Sequence, residues 1–270
     1  YSNRCHILLL YLYKILIEKG DVFMNELIKT MLEPRSIRSY SDKPVEEELL
    51  SQIIQSVQNA PNWVNMQHTT IIVIRDKARR KKLSQLCGNQ KHIAQAPIFL
   101  VFCADFYRTE LACQKYGQDI NQIMGDIDNV IVAAHETGIA LGTAVVAAES
   151  LGLGTVPIGD VRLNALEIIK MLDLPKFVIP VLGLCIGYAA DNPEQKPRLP
   201  KKAVCFDEVY NRNLTEMLEK YDETYEEYLK KRSGNNRIGN WTERAAKFYR
   251  YPYNHYPEAE EMLKQQGFIK

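Results

Sequence analysis

The 270-residue chain has no Cys-x-x-Cys pair, no zinc-like cysteine–histidine spacing and no Gly-x-Gly-x-x-Gly after a predicted strand. The first two absences argue against a disulfide framework and a metal site. Cys5, Cys87, Cys103, Cys113, Cys185 and Cys205 therefore read as thiols in a reducing cytoplasm. The third argues against a dinucleotide resident in its own Rossmann domain. Net charge is nearly absent too, at +1, which argues against nucleic acid as a partner. A long apolar run is also missing near the start. Ile7 to Ile17 contains Lys14 and falls short of the ~20 apolar residues a spanning helix needs, and no small-residue cleavage site follows. Internal repeats and low-complexity stretches are missing as well.

The first 23 residues read as foreign to the rest. Met24 follows Lys19-Gly-Asp-Val-Phe23, and one codon choice for Lys-Gly-Asp contains a bacterial ribosome-binding sequence, with Val-Phe as spacer. The expectation is a translated upstream segment over 1–23 and a native start at Met24.

Beyond it, residues 25–32 and 46–59 read as helices, the second with Leu49, Leu50, Ile53, Ile54 and Val57 on one face. Thr69–Ile74 reads as a β-branched strand, followed by a basic helix over 77–86. Pro97–Cys103 reads as a strand buried on both faces, because nothing polar alternates in it. A helix over 126–151, apolar on nearly every side, belongs in a core or an interface. Strands over 153–158 and 179–187 flank a helix over 163–172, and after Pro200 the pattern turns helical and tyrosine-rich.

What stands out is a pair of basic clusters far apart in the chain, Arg35-Ser-Ile-Arg38 and Lys196-Pro-Arg198. Each lies at a predicted element boundary. Together they suit a phosphate clamp built from distant segments, since guanidinium forks grip phosphate oxygens in pairs and lysine adds a compact charge. A third basic stretch, Arg232-Ser-Gly-Asn-Asn-Arg237, follows the tyrosine helix. His6, His68, His135 and His255 read as ordinary structural histidines.

From Met24 onward the chain resembles the FMN-dependent nitroreductase family, in its NADPH-preferring nitroreductase and flavin reductase branch. The matching stretches are Arg35–Arg38, Ala60-Pro61 through Asn65-Met-Gln67, Gly88–His92, Phe99–Asp105, Ala147–Gly154, Pro157–Asp160 and Asn192–Pro200. The resemblance implies an α+β sandwich with a mostly antiparallel sheet between helices, assembled as a homodimer with FMN at the subunit interface. It implies an FMN-binding core over 24–200 and a helical extension over 201–270 that carries an NADPH loop.

By the same resemblance Arg35, Ser36, Lys196 and Arg198 would hold the FMN phosphate, and Arg38 the flavin N1 and O2 edge. Asn62, Asn65, Gln67 and Gln90 would supply amides to the ribityl chain and pyrimidine edge, with His92 beside them. Pro157, Ile158 and Gly159 would pass their backbone over the flavin, and Arg232 and Arg237 would take the NADPH 2′-phosphate. The implied reaction passes hydride from NADPH through flavin N5 to nitroaromatics, quinones or free flavin in ping-pong order, with no side-chain nucleophile. Alternatives are a flavin reductase feeding a monooxygenase, or a flavin-binding module without turnover. Three positions depart from the family pattern: Pro34 where His is common, Asn62 for Ser, and Asp160 for Gly.

Overall fold

The computed structural model describes residues 25–232, 238–252 and 255–270. The expected leader over 1–23 and Arg237 lie outside the described residues. The chain divides into two units, 1–34 and 35–270. In the first, α1 (Glu26–Leu32) starts where the Asn25 side chain accepts from the Ile28 amide at 2.8 Å.

The second unit is built on β1 (Thr69–Ile74), β2 (Ile98–Asp105), β3 (Gly154–Ile158) and β4 (Val178–Gly187). Strand order is β1-β2-β4-β3 and every pairing is antiparallel. β2 is buried at all eight positions, as its unbroken apolar run requires, and a bulge interrupts its pairing with β4 at Phe102/Cys103. Side-chain alternation sends Phe99, Val101 and Cys103 to one face and Leu100 and Phe102 to the other.

The first face is covered by α3 (Lys77–Leu86), α4 (Lys91–Gln95) and α7 (Ala165–Leu172), through Leu83, Leu86, Ile93 and Ile168. The opposite face is covered by α2 (Glu47–Gln58) and α6 (Ile127–Ser150), through Leu50, Ile53, Ala140, Ala144 and Ala148. Each fully buried large side chain contributes roughly 1.5–3 kcal/mol. A third cluster, with Phe106, Val132, Phe177 and Phe268, joins this layer to α10 (Ala259–Gln265). α5 (Tyr107–Lys115), α8 (Thr215–Lys231) and α9 (Trp241–Phe248) complete the described helices.

The expected strands and long helices are present within about two residues at each end. Two short helices, α4 and α5, have no counterpart in the sequence reading, because both are polar and α4 spans only five residues. The helix over 126–151 is two-sided rather than uniformly buried. Val132, Ala133, Ala140 and Ala144 face the core, whereas Ile127, Ile131 and Ile139 are exposed. Among the described helices, α6 is the one long and apolar enough to cross a bilayer, yet it packs along the sheet and a third of it is buried.

Candidate functional site

The first basic cluster is positioned by the sheet edge. Ser36 forms a parallel bridge with Thr155 of β3, and the Ile37 amide donates to the Thr155 carbonyl at 2.9 Å. Ile37 is buried so tightly that a Cβ on Gly154 would sit 2.7 Å from its Cγ1. With Ile37 pinned inward, alternation turns Ser36 and Arg38 outward, and Arg38 Nη1 donates back to the Ser36 carbonyl at 3.4 Å. Tyr40 continues the edge by bridging Ala189.

The second cluster is held by the tyrosine-rich helix. The buried Tyr221 of α8 donates its hydroxyl to the Pro197 carbonyl at 2.9 Å, which fixes the Lys196–Arg198 segment. Tyr221, Tyr225 and Tyr228 pack along one face as tilted rings with neighbouring centroids 6.0 Å apart, so these rings serve packing. Asp222 accepts from the Thr242 amide at 2.9 Å and from its hydroxyl, which docks α9 on α8.

These anchors gather Arg38, Lys196, Arg198, Arg232 and Arg244. Lys196, although at the surface, is held below the usual lysine range, first by partial desolvation and then by Arg38, Arg232, Arg198 and Arg244. Among the described residues none of the five is in an ion pair. His92 borders the same cluster. Its half-buried imidazole is pushed down to about 4 by burial and by Arg38, and its buried Nε2 has no hydrogen-bond partner among the described residues. Five like charges and a buried imidazole nitrogen fit an anionic ligand with polar atoms of its own.

Several expected contributors are positioned by protein contacts. Gln90 donates its Nε2 to Asp160 Oδ2 at 2.8 Å. Ile158 is buried in the core and Pro157 is exposed, so these two can offer a ligand little beyond backbone. Gly159 is close-packed against Tyr256, with a Cβ there only 2.8 Å from the tyrosine hydroxyl. His255, read as an ordinary structural histidine, stands 3.6 Å from Asp160.

Asn62, Asn65 and Gln67 belong to a different neighbourhood, the loop before β1. Asn62 Oδ1 accepts from the Gln67 amide at 3.3 Å, and Gln67 Nε2 donates to the Asn65 carbonyl at 3.4 Å. The loop holds Val64, Asn65 and Gln67 at φ of 42°, 60° and 56°, left-handed values that β-branched valine adopts only under constraint. The constraint is Glu136 of α6. Its buried carboxylate accepts from the Trp63 amide and, at 2.8 Å, from the His68 amide. Asn62, Gln67, Arg108 and Glu136 line a cavity of about 380 Å³ between α2, β1 and α6.

Glu136, Arg244 and Tyr256 were missed by sequence reasoning. Of these only Glu136 left a signal there, as a carboxylate in the middle of a largely apolar helix. Among the described residues no group of three His, Cys, Asp or Glu could hold a metal ion.

Comparison with known proteins places this architecture. The Nitroreductase family model matches residues 32–188, and the model of that family's C-terminal domain matches 196–270. The chain is 49% identical over 247 residues to "FMN reductase [NAD(P)H]" of Bacillus subtilis, covering 91% of this chain and 98% of that protein. It is 38% identical over 220 residues to "Oxygen-insensitive NADPH nitroreductase" of Salmonella typhimurium, covering 82% and 89%. The solved structure of B. megaterium NfrA2 superposes with a TM-score of 0.86 at 46% identity, over 91% of this chain and 99% of that one. With the two family models spanning 32–188 and 196–270 and relatives this similar over nine-tenths of the chain, the chain belongs to the nitroreductase family.

Proposed function

We propose that the protein is an FMN-dependent oxidoreductase that takes electrons from NAD(P)H and delivers them to small acceptors such as nitroaromatics, quinones or free flavin. The observation that carries it is the group of five cations that have no acidic partner among the described residues, which suits two phosphate-bearing ligands. Names among its relatives point the same way, with FMN reductase and NADPH nitroreductase at 49% and 38% identity.

Bound FMN supplies the two-electron chemistry; the chain's residues bind, orient and shield. Arg35, Ser36, Lys196 and Arg198 would hold the flavin's phosphate, relieving the repulsion that depresses Lys196. Arg38 would place a fixed positive charge where reduction builds negative charge. His92, neutral at physiological pH, would offer its buried Nε2 to a polar group of the ligand. Arg232 and Arg237 would bind the 2′-phosphate of NADPH, and Arg244 adds charge to the cluster around Lys196.

Asn62 and Gln67 lie in the loop before β1, at the opposite edge of the sheet from β3, which the Arg35–Arg38 segment bridges. Three strand spacings separate those edges, about 14 Å. A site using both groups is therefore best completed by a second copy, with the cofactor between subunits and the 62–67 loop contributed across the interface.

The test is the colour of the purified protein. Wild type is expected to purify yellow and to bleach with NADPH under anaerobic conditions, and Arg38→Ala with Lys196→Ala to purify colourless. Unchanged flavin content in the double variant would remove the clamp. A yellow wild type that NADPH fails to bleach would favour a binding module without turnover. A higher kcat/KM for free FMN than for nitro compounds would favour a flavin-reductase role.

A further inference from the structure

We propose that Asp160 is a positioning residue that fixes which end of the Gln90 amide faces the cofactor, an inference that rests on the FMN reading above. Its carboxylate joins three stretches remote in sequence. Gln90 Nε2 donates to Oδ2 at 2.8 Å, the Tyr256 hydroxyl donates to Oδ1 at 3.2 Å, and His255 Nε2 lies 3.6 Å from Oδ1. Arg162 packs its guanidinium over the Tyr256 ring, 4.5 Å from the centroid. Tyr256 in turn lies so close to Gly159 that no larger residue fits there without a shift. The carboxylate thus ties the turn after β3 to the segment before α4 and the segment before α10.

The chemistry of the contact is one-sided. An ionised carboxylate only accepts, so Gln90 must turn its NH2 group toward Asp160. The amide's orientation, which its own shape leaves ambiguous, is then dictated by its neighbour. Oε1 is left as the end directed away from Asp160, an acceptor for an N–H or O–H of the bound molecule. A flavin nucleotide offers both kinds of donor, an imide N–H on the ring and hydroxyls on the ribityl chain. Asp160 does this without touching the cofactor, and it anchors Tyr256 against Gly159 at the same time.

The test is FMN titration of apoprotein, followed by the quenching of free FMN fluorescence, with apoprotein melting recorded in parallel. Asp160→Asn keeps the shape but can present a carbonyl or an NH2, so the Gln90 orientation is no longer imposed. Gln90→Glu sets carboxylate against carboxylate. Each is expected to raise the FMN dissociation constant about tenfold, the loss of one hydrogen bond of ordinary strength. The double variant Gln90→Glu/Asp160→Asn rebuilds the pair in reverse, with the asparagine donating and a glutamate oxygen left as the acceptor toward the site. Its affinity is expected within about threefold of wild type, a coupling that two independent structural defects would not produce. Single variants that bind FMN like wild type, or a double variant no tighter than the singles, would overturn the proposal. Should a single variant fail to fold, the double variant decides alone. A wild type that binds no FMN defeats the functional reading itself and this inference with it, and is seen before any variant is made.

Discussion

His92 links site chemistry to stability. Its folded value of about 4 lies below the ~6.5 of an unfolded histidine, so as pH falls the unfolded chain takes the proton first. The stability held by the neutral ring is present above pH ~6.5, is lost as pH falls toward 4, and is constant below. Discounted for a half-exposed ring, the loss is on the order of 1 kcal/mol. Denaturant melts of apoprotein between pH 7 and 4 should show a shallower acid slope in His92→Gln than in wild type. His68, also depressed chiefly by burial, contributes the same slope to both proteins. Identical slopes would mean that the protonated ring is tolerated. At Arg232, alanine is expected to lower kcat/KM for NADPH by about ten- to a hundredfold, the worth of a charge-assisted contact, and to leave NADH nearly unaffected. Parallel steady-state kinetics decide it, and equal losses with both nicotinamides would reduce Arg232 to a residue that shapes the site.

At the scale of elements, α6 does more than fill the core, because Glu136 fastens the loop over residues 62–68 to it. Glu136→Gln keeps volume, but an amide has one accepting oxygen and must set its NH2 against the other backbone donor. The expected cost is about 1–3 kcal/mol in apoprotein stability, with faster hydrogen exchange at the Trp63 and His68 amides. Unaltered exchange at both would mean that something else holds the loop. This arrangement explains why the sequence was informative in some places and silent in others. The apolar runs of β1, β2 and β4 announced a buried sheet because their signal is local. Arg35–Arg38 and Lys196–Arg198 stood out as a charge pattern, and the family resemblance gave them roles. The partners of Gln90, Asn62 and Pro197 were hidden, because an amide or carbonyl in a loop looks the same in sequence whatever it meets in space. Tyr256 meets Asp160 across 96 positions, a distance no periodicity spans.

At the scale of the whole molecule, α6 leaves Ile127, Ile131 and Ile139 exposed beside Gly138 and Gly142, at neither of which would an added Cβ meet an atom within 4 Å. An apolar face lying between a cofactor clamp at one sheet edge and an amide loop at the other suits pairing with a second copy. Sedimentation at nanomolar concentration is expected to show a dimer. Ile131→Glu is expected to shift it toward monomer with loss of bound flavin, since a charge in a buried apolar interface is costly. A monomer that keeps its flavin would break the link between pairing and site.

The five gathered cations also bear on the protein's persistence. Without an anion they repel one another at the fold's expense, and a phosphate-bearing cofactor converts that repulsion into attraction. Ligand that binds only the folded state stabilises it by mass action, so the interval between empty and loaded forms is widened from both sides. Chains made when flavin is scarce would unfold more often and be cleared sooner by proteolysis, so that the abundance of the protein would follow the supply of its cofactor without any dedicated sensor.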